Sequence, residues 1–307
     1  SAGVFTQHVF AASSVIHTKK CLKTHIIKAV IVNSGNANTA TGDQGIMDTK
    51  SLAQLTARCL GLDKQEVGVA ATGIIGQLLP RSVFESHARL FSDPLAKNGA
   101  LFSKSILTTD AFEKTVFLET KIGKKVIEIA GVTKGCGMIA PNMATTLGFL
   151  VTSAQLSKQQ LAICLKEAID VSYNMVSVDT DTSTSDMVLL FSTGAVPIAE
   201  HDRDQLHMFQ TALNEACIHL AKQLVMDGEG AKKLITCCVK GAVRYADAKL
   251  VVKQVIDSPL VKTAIAAANP NWGRLVMAIG KNDSIKMNPA KVKVFIGDIP
   301  ANWGNEK

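Results

Sequence analysis

Short apolar runs suited to buried strands alternate with amphipathic helical stripes along the whole sequence, and no Pro-, Gly- or Ser-rich linker interrupts them. That alternation predicts one intertwined α/β body rather than beads on a string. Thr24 to Val32 carries Ile26-Ile27 and Ala29-Val30-Ile31-Val32, a buried-strand run expected to end in a turn at Asn33-Ser34-Gly35-Asn36. Leu52, Leu55 and Cys59 share a helical face that stops at Gly61. Val67 to Ala71 reads as a short strand leading into Thr72-Gly73, and Ser82 with Glu85 has the spacing of a capping box. Val116 to Ile129 is rich in β formers around a hairpin turn at Gly123-Lys124. Ser157 and Gln160 form a second capping box, followed by Leu161, Cys164, Leu165, Ala168 and Ile169 on one face. Leu206, Phe209, Leu213, Cys217, Leu220 and Leu224 make the longest stripe, which stops near Asp227-Gly228. Leu234 to Val239 reads as a strand, Ala246 to Ile256 as a helix, and Lys291 to Ile296 as a strand.

Composition narrows the function classes. With 307 residues, 47% of them hydrophobic, the chain can bury a large core. No apolar run is long enough to span a bilayer, so a soluble protein with no membrane partner is expected. The opening Ser1-Ala2-Gly3-Val4-Phe5 lacks the layout of an export signal, which predicts a cytoplasmic or organelle-matrix enzyme. The net charge of +7 is scattered, with lysines at most in pairs and aromatics at 5%, which argues against a nucleic-acid surface. Seven cysteines without a CxxC pair argue against structural zinc.

Five segments suggest chemistry. In Lys134-Gly-Cys-Gly-Met-Ile-Ala-Pro-Asn-Met-Ala144-Thr145-Thr146, two glycines, a proline and an asparagine precede the apolar strand Leu147 to Thr152. A threonine presented so, once the bond before it is cut, owns an α-amine of reference pKa near ~8 that can serve as base to its own hydroxyl. Taken alone, the segment also fits a glycine-rich turn. Ala70-Ala-Thr72-Gly73-Ile-Ile-Gly76 can aim a hydroxyl and an N–H at one point, as an oxyanion hole does, or can simply end a strand. Asp179-Thr-Asp-Thr-Ser-Thr-Ser-Asp186 is a hydrogen-bonded turn or a loop lining a site. Asp227-Gly-Glu229-Gly lets a ligand approach the backbone beside one carboxylate, or is a helix end. Asn269-Pro-Asn-Trp-Gly-Arg274 is a rigid corner or a ligand wall.

Taken together and in order, these segments resemble the ornithine acetyltransferase (glutamate N-acetyltransferase) family of arginine biosynthesis. The likeness also runs through Gly3-Val-Phe-Thr6, Val32-Asn-Ser-Gly-Asn-Ala-Asn38, Thr108-Thr-Asp110 and Asp181-Thr-Ser-Thr184, nearly the whole chain. It implies an αββα four-layer sandwich with an N-terminal-nucleophile-like site. It implies self-cleavage between Ala144 and Thr145 into segments 1–144 and 145–307, staying together as an α2β2 assembly. Thr145 is then the nucleophile, Thr72 and Gly73 the oxyanion hole, and Lys134, Glu229, Thr108 and Thr109 the substrate contacts. N-acetylornithine and glutamate are the implied substrates, bifunctional members also use acetyl-CoA, and no metal or organic cofactor is implied.

Departures accompany the likeness. Thr180 stands where many members carry glycine, Ser185 where many carry asparagine, Asn269 where many carry aspartate, and Cys136 where serine or alanine is usual. Relative to the family the chain is expected to be truncated at both ends, lacking a tail that supplies pocket residues. A self-processing amidohydrolase or aminopeptidase, and a non-catalytic subunit, are the alternative readings.

Overall fold

The computed structural model describes residues 1–91, 99–140, 146–198, 202–281 and 285–301. These fall into two compact units, Ser1–Glu229 and Gly230–Lys307.

The first unit is built on a five-stranded sheet of β1 (Ala2–Phe5), β4 (Lys114–Ile122), β5 (Lys125–Lys134), β6 (Leu147–Gln155) and β7 (Met187–Pro197), in the order β1-β7-β6-β5-β4. Alternation in these strands divides two apolar faces, as strand geometry requires. In β7, Val188 and Leu190 join one core with Ile127, Ile129 and Leu150, while Met187 and Leu189 join another with Phe5, Leu147 and Phe149. The first core is closed by α5 (Lys158–Val171) and α6 (Arg203–Met226), whose stripes supply Leu161, Leu165 and Ile169, and Phe209, Leu213, Leu220 and Leu224. The Ser157 box opens α5 as expected, its hydroxyl accepting from the Gln160 N–H.

The second core is shared with α1 (Ser13–Thr24) and with a parallel pair, β2 (Ala29–Asn36) and β3 (Val67–Ile74). Val30, Val32 and Ala70 point into it, whereas Ile31 and Val69 face the other way onto Leu52 and Ala53 of α2 (Gly42–Leu60). The layers therefore run helix, sheet, strand pair, helix, the α/β class expected from the sequence. Short helices α3 (Arg81–His87) and α4 (Gly99–Ser105) complete this unit. The second unit holds α7 (Tyr245–Ile256), α8 (Pro259–Ala266), α9 (Trp272–Gly280) and a small hairpin, β8 (Phe295–Ile296) with β9 (Ile299–Pro300).

Several local expectations differ from the structure. Asn33 to Asn36 is not a turn: β2 continues through it because β3 pairs with it to the end, Asn33 opposite Ala71 and Gly35 opposite Gly73. Leu234 to Val239 forms no strand, having no pairing partner among the described residues. The strand expected over Lys291 to Ile296 shrinks to its last two residues. Ser82 does not cap α3, which starts one residue earlier behind Pro80. Within Asn269 to Arg274, Asn271 is the N-cap of α9, accepting from the Arg274 N–H.

Candidate active site

Strand β5 ends at Lys134, and its side chain reaches back to the end of β3. The Lys134 Nζ donates to Thr108 Oγ1 at 2.7 Å and to Thr72 Oγ1 at 3.4 Å, and pairs with Asp110 Oδ2 at 3.5 Å. Three sequence-distant segments thus meet at Lys134, a residue only 6% exposed. A hydroxyl that accepts from an ammonium directs its own proton elsewhere, so Thr72 keeps an O–H free to donate.

Gly73, beside it, has φ +129°, a conformation side chains rarely adopt, and a Cβ there would lie 2.2 Å from the carbonyl carbon of Gly35. The close approach of the two chain ends needs glycine, and it fixes the backbone next to Thr72.

The second wall comes from the end of α6. The Glu229 N–H donates to the Cys136 carbonyl at 3.0 Å, and its carboxylate accepts from Thr109 Oγ1 at 3.3 Å. The Cys136 thiol is 3.0 Å from Thr109 Oγ1. Burial pushes that thiol up, and the neighbouring carboxylates Asp110, Glu229 and Asp227 add to the effect, so it stays protonated. Gly137 lies against Glu229, where a Cβ would meet the carboxylate at 3.0 Å.

Of the residues expected at the site, Thr72, Gly73, Thr108, Thr109, Lys134 and Glu229 are brought together. Ala144 and Thr145 lie outside the described residues. The residue that follows, Thr146, donates its hydroxyl to the Lys134 carbonyl and sits 3.1 Å from Thr133 Oγ1. A small cavity is lined by Thr72, Lys134, Gly135, Thr146, Ser183 and Asp186, among others. A cavity of about 690 Å³ lies elsewhere, lined in part by α1 and α2, and shares no residue with this one.

Lys114 was not singled out from sequence, and Asp110, Asp227 and Asp186 were named only within longer segments. Asp110 and Lys114 form a fully buried pair, and Asp227 receives the Ala111 N–H at 3.0 Å. Burial alone would raise the Asp110 carboxyl; Lys134, Lys114 and the N–H groups of Gly135 and Thr108 outweigh it and hold it down at about 2. Asp186 shows the opposite balance. Burial pushes it well above the usual carboxylate range despite bonds from Ser183, the Thr146 N–H and Thr6, and its Oδ2 has no hydrogen-bond partner among the described residues. It lines the cavity with its charged form disfavoured by burial.

The loop from Asp179 to Asp186 supports this wall. Asp179 Oδ1 accepts from the Ile139 N–H at 2.9 Å, and the Ala140 N–H donates to the Asp181 carbonyl at 3.0 Å. Thr180 in the same loop has φ +73°, the left-handed region that a β-branched residue tolerates poorly. This gives a physical reason for the glycine common at this place among the proteins the sequence resembles. Thr180→Gly is expected to raise stability by about 1 kcal/mol, the left-handed strain less the entropic cost of glycine. The shift in the urea midpoint measures it, and a lower midpoint would show the conformation to be unstrained.

The ArgJ family profile matches residues 1–305. The chain belongs to the ArgJ family. It is 40% identical to the Arginine biosynthesis bifunctional protein ArgJ of Dehalococcoides mccartyi over 302 residues, covering 98% of this chain and 74% of that protein. With the ArgJ of Staphylococcus epidermidis it shares 42% identity over 304 residues, 97% of this chain and 75% of the other. It also aligns with the solved ArgJ of Bacillus halodurans at TM-score 0.43 and 33% identity, over 47% of this chain and 76% of that one. The ornithine acetyltransferase of Mycobacterium tuberculosis, solved with ornithine, aligns at TM-score 0.40 and 31% identity, over 47% and 77%. As an ArgJ-family member the chain is an enzyme of arginine biosynthesis, and acetyl transfer is the reaction class that fits. No helix among its described residues is long and apolar enough to cross a membrane.

Proposed function

We propose that this enzyme moves an acetyl group from N2-acetylornithine to glutamate through an ester on Thr145, after cutting its own Ala144–Thr145 bond. The observation that carries the reading is the meeting of Thr72, Thr108 and Asp110 at Lys134, with Thr146 bonded to the Lys134 carbonyl.

In self-cleavage the Thr145 hydroxyl attacks the Ala144 carbonyl carbon, and the acyl group passes from nitrogen to oxygen. Water then opens the ester, leaving the Ala144 carboxylate and a free Thr145 amine. In transfer that amine takes the hydroxyl proton as the oxygen attacks the acetyl carbon. The Thr72 O–H and the Gly73 N–H supply donors to the oxyanion. The oxyanion collapses, ornithine leaves with the proton, and the glutamate amine takes the acetyl group in a second attack. Glu229 and Lys134 offer one negative and one positive group to the amino-acid portion of each substrate, with Thr108 and Thr109 beside them. Acetyl-CoA as a second donor, an α2β2 assembly of the cut halves, and a cytoplasmic or organelle-matrix setting belong to the same proposal.

Intact mass under denaturing conditions is expected to give two fragments meeting at Ala144/Thr145. Acetylglutamate is the expected product from N-acetylornithine and glutamate. A single uncut mass from folded protein would remove the base from the mechanism, and free acetate in place of acetylglutamate would make the chain a hydrolase.

A further inference from the structure

One charged side chain beneath the site has no part in the reaction as proposed. Lys114, at the start of β4, is 0% exposed. Its three N–H groups are all taken: Asp227 Oδ2 at 2.5 Å, Asp110 Oδ1 at 2.8 Å and the Phe112 carbonyl at 3.2 Å, with the Phe112 ring 4.9 Å away. Asp110 on one side also receives the Gly135 N–H at 2.6 Å and the Thr108 N–H at 3.1 Å, and pairs with Lys134. Asp227 on the other side receives the Ala111 N–H and stands two residues before Glu229, which is tied to Cys136. One ammonium therefore fastens together the segments that carry Thr108 and Thr109, Lys134, and Glu229.

Asp110, Cys136 and Asp227 bring their donor atoms within 4.8 Å of one another, a grouping that could hold a divalent cation. Here both carboxylates are already bonded to the Lys114 ammonium, and the thiol is held protonated by burial and by its acidic neighbours. The cation of this cluster is the chain's own.

We propose that Lys114 is a positioning residue for the transfer reaction, holding Lys134 and Glu229 at a fixed spacing. The inference rests on the acetyl-transfer reading and adds a residue to it. Lys114 and Lys134 together balance Asp110 and Asp227. Without Lys114, two buried carboxylates compete for Lys134 and draw it away from Thr108 and Thr72.

The test uses the full chain and three variants: Lys114→Met, Asp227→Asn, and the two combined. Ornithine affinity is read by calorimetry, and kcat and KM for N-acetylornithine are read across pH. Lys114→Met is expected to weaken ornithine binding and raise KM by about 10- to 100-fold, the cost of moving a positioning group by about 1 Å. The acid limb of kcat/KM should move to higher pH. The loss of a buried positive charge favours protonation of what lies near it, Asp110 above all, which Lys114 helps to hold down and which Lys134, Glu229 and Cys136 also face. The double variant restores the charge balance and should bind ornithine better than Lys114→Met alone, which a purely structural role would not produce.

Wild-type affinity and an unmoved acid limb in folded Lys114→Met would overturn the proposal, as would a double variant no better than the single. Should Lys114→Met not fold, Asp227→Asn decides: it takes one of the two carboxylates from Lys114 and loosens the segment that carries Glu229, so ornithine affinity should fall by about 10-fold, and unchanged affinity sinks the idea. A wild-type chain that forms no acetylglutamate defeats the transfer reading instead, and the Lys114 inference then stands or falls on ornithine affinity.

Discussion

Thr145→Ala is expected to leave one uncut chain of 32.7 kDa and to lower transfer by a factor on the order of 10⁴ to 10⁶. One oxygen is asked to do two jobs. In the proposed mechanism it attacks the Ala144 carbonyl to release the new chain end, and it later carries the acetyl group, with the released amine as its base. Removing it therefore abolishes the first event and, with it, both the nucleophile and the base of the second. Thr145→Ser keeps a hydroxyl and should still give two fragments and measurable acetylglutamate. Mass spectrometry and product analysis on the same three preparations check both statements. Full transfer by the alanine variant would move the nucleophile elsewhere and end the mechanism proposed here.

Gly73→Ala should be the most damaging single methyl in the described chain. The added carbon would sit 2.2 Å from the carbonyl carbon of Gly35 and 2.3 Å from its oxygen, both backbone atoms that no rotamer change can move. It would do so at a φ of +129°, which alanine disfavours in any case. The expected loss is about 3 kcal/mol or more, from strain together with separation of the β2–β3 ends. Any protein that still folds should show kcat lowered by about 10²- to 10³-fold, because the displaced N–H no longer meets the developing oxyanion. Gly35→Ala is the control. Its φ is also positive, at +120°, but a Cβ there meets nothing within 4 Å, so it should cost only the conformational strain, about 1–3 kcal/mol. Denaturation midpoints for the pair separate strain from collision. Equal midpoints for the two variants would mean that the close approach at Gly73 relaxes freely.

The sequence was most readable where a local rule and the tertiary structure agree. The Gly123 hairpin turn, the Ser157 capping box and the α6 stripe are each visible within a few residues, and each is present. The site segments were readable because glycine, threonine and charged residues are concentrated in them, and six of the expected site residues do converge. Reading failed where partners are far apart. Asn33 to Asn36 has turn composition, yet the pairing of β3 overrides it. Leu234 to Val239 has strand composition with no partner strand among the described residues. Lys114 was invisible for the strongest reason: a lysine heading a strand is ordinarily solvated, and its partner Asp227 stands 113 residues away with no local pattern linking the two. Asp186 carries the same lesson, since the upward push on its carboxyl follows from complete burial, which a run of polar residues conceals.

The pairing of β5 with β6 has a consequence for molecularity. The two strands are neighbours in the middle of the sheet, in register from Ile129 opposite Thr152 to Lys134 opposite Leu147. The bond between Ala144 and Thr145 lies in the connection beyond that ladder, so cutting it breaks none of those rungs. It does change what refolding must accomplish. An uncut chain folds by a first-order process, whereas two cut halves must first meet, and their recovery after denaturation becomes second order and dependent on protein concentration. The proposed cut would thus be cheap in the native state and expensive after unfolding, and a processed enzyme would be a protein that is assembled once.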